Sequence, residues 1–234
     1  SYGENKINVS EKGISFTKGI QSNNVLATAK HFPGHGDTSK DSHLTLPTIN
    51  FDEKRIKKVE LYPFKKLIED GLSAVMIAHL NVPSLEKENM LPSTLSKNII
   101  EKTLIQELNF NGLIITDALE MKGVSEFTKK NVDLMAFLAG NDILLMSSDI
   151  SKGIKSIKKS IKKGKISEQR LARSVKKILK AKYKVGLNSY KSIETTNLID
   201  DLNSISVTNL INKSIESIPT LIKNKSNVIP VKLD

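Results

Sequence analysis

NVLATAKHFPGHGDTSKDSH, residues 24–43, begins as an apolar run and continues as a polar loop that contains proline and glycine. The run 24–31 is typical of a buried strand, and it ends on Lys30 and His31. A barrel of parallel strands and helices places its chemistry at the carboxyl ends of several strands. The fold therefore depends on whether other apolar runs along the chain also end on polar side chains.

Three further runs have this pattern. They are SAVMIAH (73–79), GLIITD (112–117) and NDILLMS (141–147), and they end on His79, Asp117 and Ser147. Helical patterns separate them, as expected for βα units in a parallel sheet. An open doubly wound sheet is the alternative, but the polar strand ends favour a barrel. We predict an α/β fold, the C-terminal half of a (β/α)8 TIM-type barrel with parallel strands and flanking helices.

The composition changes after about residue 188. NSYKSIETTNLIDDLNSIS (188–206) is polar and resembles a linker. A short helical pattern near 207–216 and a strand-like run at 219–224 follow it. We predict a partial barrel catalytic domain at 1–188, then a linker and the start of another domain at 189–234. Since the chain starts at Ser1, we expect a fragment or a processed form.

The formal net charge is +11, and lysine supplies nearly all of the basic residues. The lysines of KGIKSIKKSIKKGK (152–165) alternate with isoleucines at helical spacing, which indicates the solvated face of an amphipathic helix. Arginine is scarce and no aromatic residues interleave these lysines, so we expect no nucleic-acid partner. No apolar run approaches the length of a membrane span. The sequence does not fix the compartment, and the bacterial periplasm or cell envelope and the cytoplasm both stay open.

Three of the four histidines lie in the opening stretch: His31, His35 and His43. A loop could gather them around zinc, but Pro33 and Gly34 exclude the helical geometry that the His31–His35 spacing would need. The chain has no cysteine, so thiolate ligands are absent. We predict no metal and no cofactor, with a zinc site and a purely structural polar turn as alternatives.

Acid–base chemistry fits the loop better. Asp41 and His43 are separated by one residue, so the carboxylate can orient the imidazole while the second ring nitrogen moves protons. Asp117 ends an apolar strand, where a carboxylate is costly unless it is used or hydrogen-bonded. From spacing alone, a catalytic role for Asp117 and the N-cap of the next helix are equally good interpretations.

The stretches ATAKHFPGHGDTSKDSH (27–43) and ITDALEM (115–121) together closely resemble glycoside hydrolase family three, in its β-N-acetylglucosaminidase (β-hexosaminidase) branch. MIAHLNVP (76–83), SYG (1–3) and TLIKNKSNVIPVK (220–232) resemble further segments of that family. The resemblance implies that Asp117 is the nucleophile, His43 the acid/base and Asp41 its partner. It also implies that Lys30 and His31 bind the sugar hydroxyls, and that His35 is a supporting residue.

The activity that the resemblance implies is a retaining glycosidase that removes terminal β-linked N-acetylglucosamine, with peptidoglycan recycling as one setting. Muropeptides, chitin oligomers and glycan ends all remain open as substrates. Two alternatives stand beside it: a β-N-acetylglucosaminide phosphorylase, and a non-catalytic carbohydrate-binding fragment. We expect residues 1–234 alone to be inactive and prone to self-association, because open strand edges pair with other chains.

Overall fold

The computed structural model describes residues 2–38, 45–125, 127, 131–225 and 229. The chain forms two compact units, Ser1–Ser189 and Tyr190–Asp234. The strands of the first unit are β1 (Thr28–Phe32), β2 (Ala74–Ile77) and β3 (Leu113–Thr116). Its helices are α1 (Lys6–Gln21), α2 (Glu53–Lys58), α3 (Leu61–Glu69), a π-helix (Asn98–Glu107), α4 (Lys122–Ser125), α5 (Val132–Ala139), α6 (Ile150–Lys162) and α7 (Glu168–Lys184).

The three strands form one parallel sheet in the order β1-β2-β3. Each strand therefore lies beside the next one along the chain, with helices in the connections. A doubly wound sheet reverses its strand order at a switch point, and the three described strands contain no such reversal. The sequential order confirms the predicted α/β fold of parallel strands with flanking helices.

Two of the predicted strands differ from the structure. The first begins at Thr28 rather than at residue 24 and continues to Phe32. Residues 141–147 lie beside β3 but pair with it only through an isolated parallel bridge between Ile115 and Ile143. The reason is that Leu145 N–H donates to the Thr116 side-chain oxygen at 2.9 Å instead of continuing a backbone ladder.

A main hydrophobic core fills the space between the sheet and the helices. Its fully buried members include Phe32, Ile56, Val75, Ile77, Ile99, Leu104 and Ile114. The rings of Phe32 and Phe64 meet edge to face, with centroids 5.1 Å apart. A smaller cluster of Leu91, Leu95, Leu119, Val124 and Ala136 lies next to the segment that follows β3. Burial of these side chains, at roughly 25 cal/mol per Å², is the main force that fixes the strand positions.

Two helix ends are fixed by their terminal residues. Ser167 is the N-cap of α7, since its side chain accepts from Arg170 N–H at 3.2 Å. Gly140 ends α5 at φ 123°, where a Cβ would lie 2.8 Å from Ile100 Cγ2. Both the backbone angle and the close contact therefore require glycine at this position.

The lysine-rich helix α6 spans Ile150–Lys162 and buries only Gly153 and Ser160. Its lysines are exposed, in line with the predicted solvated face. No helix in the described part of the chain is both long and apolar enough to cross a membrane.

The second unit holds α8 (Leu198–Leu202) and α9 (Ile205–Ser217). α9 includes the helix predicted near 207–216, and Ser204 caps it by accepting from Val207 N–H. The strand-like run 219–224 forms no strand among the described residues. The division into a barrel domain to residue 188 and a following domain from residue 189 remains a proposal.

Candidate active site

The carboxyl ends of the three strands meet at one edge of the sheet. Thr116 pairs with Ile77, and Asp117 N–H donates to Ile77 O at 3.0 Å. On the other side of β2, Ala78 N–H donates to Phe32 O at 2.9 Å. This register brings His31 and Asp117 together, with 3.7 Å between His31 Nε2 and Asp117 Oδ2. Residues 86 positions apart in the chain thus share one site.

The two carboxylate oxygens of Asp117 have different surroundings. Oδ1 accepts from Ala118 N–H at 2.9 Å, whereas Oδ2 faces His31. The Asp117 side chain is 18% exposed. The next helix, α4, begins only at Lys122, so Asp117 is not its N-cap. The capping interpretation is therefore wrong.

His31 occupies a half-buried position at this edge, with 30% of its side chain exposed. Burial lowers its pKa from the ordinary value of 6.5, while the nearby Asp117 carboxylate acts in the opposite direction. Lys30, His35 and His79 lower the pKa of His31 further. The imidazole is therefore mainly neutral near pH 7, and in that form it can both donate and accept a hydrogen bond.

The loop after β1 is tied to α2. Arg55 donates to Asp37 Oδ2 at 2.9 Å and also to the Glu60 carboxylate. Gly34 adopts φ 133°, and a Cβ there would lie 2.9 Å from Glu60 Cβ. Only glycine allows this close approach, so the loop lies directly against the residues that anchor it.

His35 packs within the same loop. Its Nδ1 lies 2.8 Å from Thr38 Oγ1, and its ring meets the His31 ring edge to face with centroids 5.8 Å apart. His35 thus contacts a site residue and a loop residue. The peptide bonds Lys30–His31 and Phe32–Pro33 are both cis.

His79 is a site residue that the sequence reasoning did not select. It follows β2, is 1% exposed, and places Nε2 2.9 Å from Ala118 O and Nδ1 2.6 Å from Thr94 Oγ1. Burial lowers its pKa, against smaller raising effects from Ala118 and Asp117. Its position at a strand end was the available signal, but nothing in the sequence connected it to Thr94 or to Ala118.

The remaining predicted site residues are Lys30, Asp41 and His43. Lys30 lies in β1 with an exposed side chain. Asp41 and His43 fall within 39–44, outside the described residues. In the described part of the chain, no group of three or more His, Cys, Asp or Glu side chains could hold a metal ion.

The groups at this edge of the sheet are suited to nucleophilic attack and to hydrogen bonding of hydroxyl groups. Asp117 offers one carboxylate oxygen towards the site while a backbone N–H holds the other. A neutral imidazole and a lysine come from the end of β1, on the other side of β2. A carboxylate so placed can attack an electrophilic carbon, and the neutral and cationic groups beside it can hydrogen-bond hydroxyl groups.

The sequence model of one family matches residues 1–181; its description is Glycosyl hydrolase family 3 N terminal domain. Beta-hexosaminidase A of Pseudoalteromonas piscicida is 32% identical over 209 residues, which cover 81% of this chain. The same match covers only 35% of that protein. The chain therefore spans about a third of the length of this curated relative.

Two solved structures are also similar. A family 3 beta-N-acetylglucosaminidase from Paenibacillus sp. str. FPU-7 has 36% identity and a TM-score of 0.84, covering 91% of this chain and 41% of that one. A beta-glucoside phosphorylase has 26% identity and a TM-score of 0.82, covering 89% of this chain and 39% of that one. Both likenesses extend over nearly the whole chain, and the two proteins are named for different activities.

Proposed function

The chain belongs to glycosyl hydrolase family 3, and from this we propose that the full-length protein is a retaining glycosidase that removes terminal β-linked N-acetylglucosamine residues. The observation that carries the proposal is the meeting of Asp117 and His31 at the carboxyl edge of the sheet. The relatives named beta-hexosaminidase and beta-N-acetylglucosaminidase supply the substrate class.

In this mechanism, Asp117 is the nucleophile. An Asp117 oxygen forms a bond to the anomeric carbon while the bond from that carbon to the leaving oxygen breaks. The half-buried carboxylate, held at Oδ1 by Ala118 N–H, supports this role because Oδ2 stays directed into the site. The product of the first step is a covalent glycosyl-aspartate.

His43 is the proposed acid/base, with Asp41 as the partner that orients it. His43 gives its proton to the leaving oxygen in the first step and takes a proton from the attacking water in the second. Water then displaces the Asp117 carboxylate, and the configuration at the anomeric carbon is retained. The one-residue spacing of Asp41 and His43 supports the pairing.

Lys30 and His31 are the proposed ligands of the sugar hydroxyls. Both come from the end of β1, and His31 lies 3.7 Å from the proposed nucleophile. The lowered pKa of His31 keeps its ring neutral near pH 7, so it adds no second positive charge beside Lys30. A hydroxyl can donate to the free ring nitrogen and accept from Lys30.

Phosphorolysis is the second candidate, and the likeness to a beta-glucoside phosphorylase favours it. A histidine base carries no negative charge when it is neutral, so it does not repel an incoming phosphate as a carboxylate would. Incubation with substrate in phosphate buffer separates the two candidates. Free N-acetylglucosamine supports hydrolysis, and the sugar 1-phosphate supports phosphorolysis.

The test of Asp117 is covalent labelling of the full-length protein with a 5-fluoro N-acetylglucosaminyl fluoride, followed by peptide mass spectrometry. The label should appear on Asp117, and Asp117→Ala should lose turnover by at least about 10³-fold while it retains sugar binding. Glu120→Gln is the matched control, since Glu120 is an exposed carboxylate three residues further on. A label on another carboxylate, with an active Asp117→Ala variant, would contradict the proposal.

A further inference from the structure

One buried histidine connects the segment that carries Asp117 to the neighbouring strand. His79 lies 2.9 Å from the carbonyl oxygen of Ala118 through its Nε2 atom. Ala118 N–H in turn donates to Asp117 Oδ1 at 2.9 Å. Ala118 is therefore hydrogen-bonded both to His79 and to the Asp117 carboxylate. His79 itself is 1% exposed, so it contacts Ala118 from the protein interior and not from the open side of the site.

The hydrogen bonds fix the tautomer of His79. A carbonyl oxygen can only accept, so Nε2 must carry the proton that is donated to Ala118. In the neutral ring Nδ1 is then an acceptor, and Thr94 Oγ1 is 2.6 Å away and donates to it. Thr94 Oγ1 also lies 2.7 Å from Ala78 O. When Nδ1 is protonated, the Thr94 hydroxyl can donate to Ala78 O and accept from Nδ1 instead. The bond to Ala118 is kept in both protonation states.

Thr94 is itself firmly held. It lies in the short 3₁₀ turn Ser93–Leu95, and its side chain is fully buried. Its carbonyl oxygen accepts from Asn141 Nδ2 at 2.9 Å, and the same amide donates to Ala136 O at 2.7 Å. A buried, hydrogen-bonded turn thus supports the histidine, and the histidine supports the segment after β3. The line of contacts is continuous from Asn141 to Asp117.

We propose that His79 and Thr94 form a positioning pair for Asp117. By holding Ala118, the pair keeps its N–H aimed at Oδ1, so that Oδ2 remains directed at the anomeric carbon. The proposal rests on the assignment of Asp117 as nucleophile. Neither member of the pair needs to touch the sugar. Misplacement of a reacting group by about 1 Å can cost about 10²-fold in rate, so loss of the pair should reduce attack by Asp117.

The experiment measures the first-order rate of Asp117 labelling by the 5-fluoro N-acetylglucosaminyl fluoride in the full-length protein. Fluoride needs little help from an acid, so this rate reports on the nucleophile. His79→Leu and Thr94→Val, which remove the donors but keep similar volume, should slow labelling by about 10²-fold and about 10-fold. His79→Gln and Thr94→Ser, which keep a donor, should recover most of the rate. The rate constant does not depend on how much of each sample is folded.

Ser93→Ala is the matched control. Ser93 is fully buried in the same turn and its side chain donates to Leu80 O at 2.7 Å, with no hydrogen bond to His79 among the described residues. It should lower the melting temperature without changing the labelling rate. Equal labelling rates in wild type, His79→Leu and Thr94→Val would overturn the positioning pair. If the wild type is labelled elsewhere than at Asp117, the proposed nucleophile fails instead, and the two failures are distinguishable.

Discussion

Asp117, His31 and His79 lie within one small region, and burial affects both imidazoles. Desolvation lowers the pKa of His79 and of His31 below the ordinary value of 6.5. The Asp117 carboxylate raises both pKa values, but by less than burial lowers them. Lys30 lowers the pKa of His31 further. At the scale of single residues, the site therefore holds the imidazoles of His31 and His79 neutral near pH 7, next to a carboxylate.

A pH dependence of stability follows from these two histidines. Because their pKa values are lower in the folded chain, the unfolded chain binds more protons between the folded pKa and 6.5. The stabilisation is complete above pH 6.5 and is lost as the pH falls through the folded pKa. Urea unfolding at pH 7.5 and pH 5.5 should show this loss, and His79→Gln should reduce it. An identical pH dependence in the variant would contradict the assignment to His79.

At the scale of elements, the loop after β1 depends on α2 for its position. Arg55 extends from α2 to Asp37 of the loop and to Glu60 at the start of α3. Its guanidinium also lies 4.6 Å from the centroid of the Phe51 ring. Residues 39–44, which include Asp41 and His43, follow Asp37 closely in the chain. The residue that Arg55 anchors, Asp37, therefore precedes the proposed acid/base closely in the sequence.

Replacement of this anchor should affect proton donation more than nucleophilic attack. Arg55→Lys keeps the charge but cannot bridge two carboxylates with a planar fork, so kcat should fall about 10-fold for substrates with poor leaving groups. Activated aryl glycosides should be affected much less. Lys54→Gln, on the exposed side of the same helix, should behave like wild type. A uniform loss for both substrate types would argue against a link between Arg55 and the acid.

At the scale of the whole molecule, Asp142 joins the sheet to α7. Its buried carboxylate accepts from Ile114 N–H at 3.1 Å, Ser174 Oγ at 2.5 Å and Lys177 Nζ at 2.9 Å. Arg170 of the same helix donates to Asn141 O at 2.7 Å. These contacts lie at the beginning of β3, opposite to the carboxyl edge that carries Asp117. They hold the fold together without taking part in the proposed chemistry.

Removal of the charge partner should therefore reduce stability and leave catalysis intact. Lys177→Met removes the nearer of the two cations that face the buried Asp142 carboxylate and leaves Arg170, whose Nη1 is 4.0 Å from Oδ1. We expect a loss of about 2 kcal/mol in the free energy of unfolding. Lys176→Met is the control, because Lys176 is exposed on the same helix. Urea denaturation of both variants gives the comparison. Equal stabilities, or a slower Asp117 labelling rate in Lys177→Met alone, would be inconsistent with a purely structural role.

Local sequence signals were sufficient for the fold class and for the position of Asp117. The apolar runs and their polar ends predicted the parallel strands, because burial on both faces of a sheet requires such runs. The same signal failed for residues 141–147. Their composition fits a strand, but the Thr116 hydroxyl replaces a backbone partner. The capping interpretation of Asp117 was equally good from sequence and failed only because α4 begins at Lys122.

The sequence by itself determined which residue types stand at the strand ends, since hydrophobic pattern and turn residues are local properties. Tertiary structure alone decided which of them meet. His79 reaches Ala118 across 39 positions, Thr94 supports His79 across 15, and Arg55 reaches Asp37 across 18. Such contacts depend on the register of the sheet and on the packing of the connecting segments. No window of sequence contains that information, because the partners become neighbours only when the chain has folded.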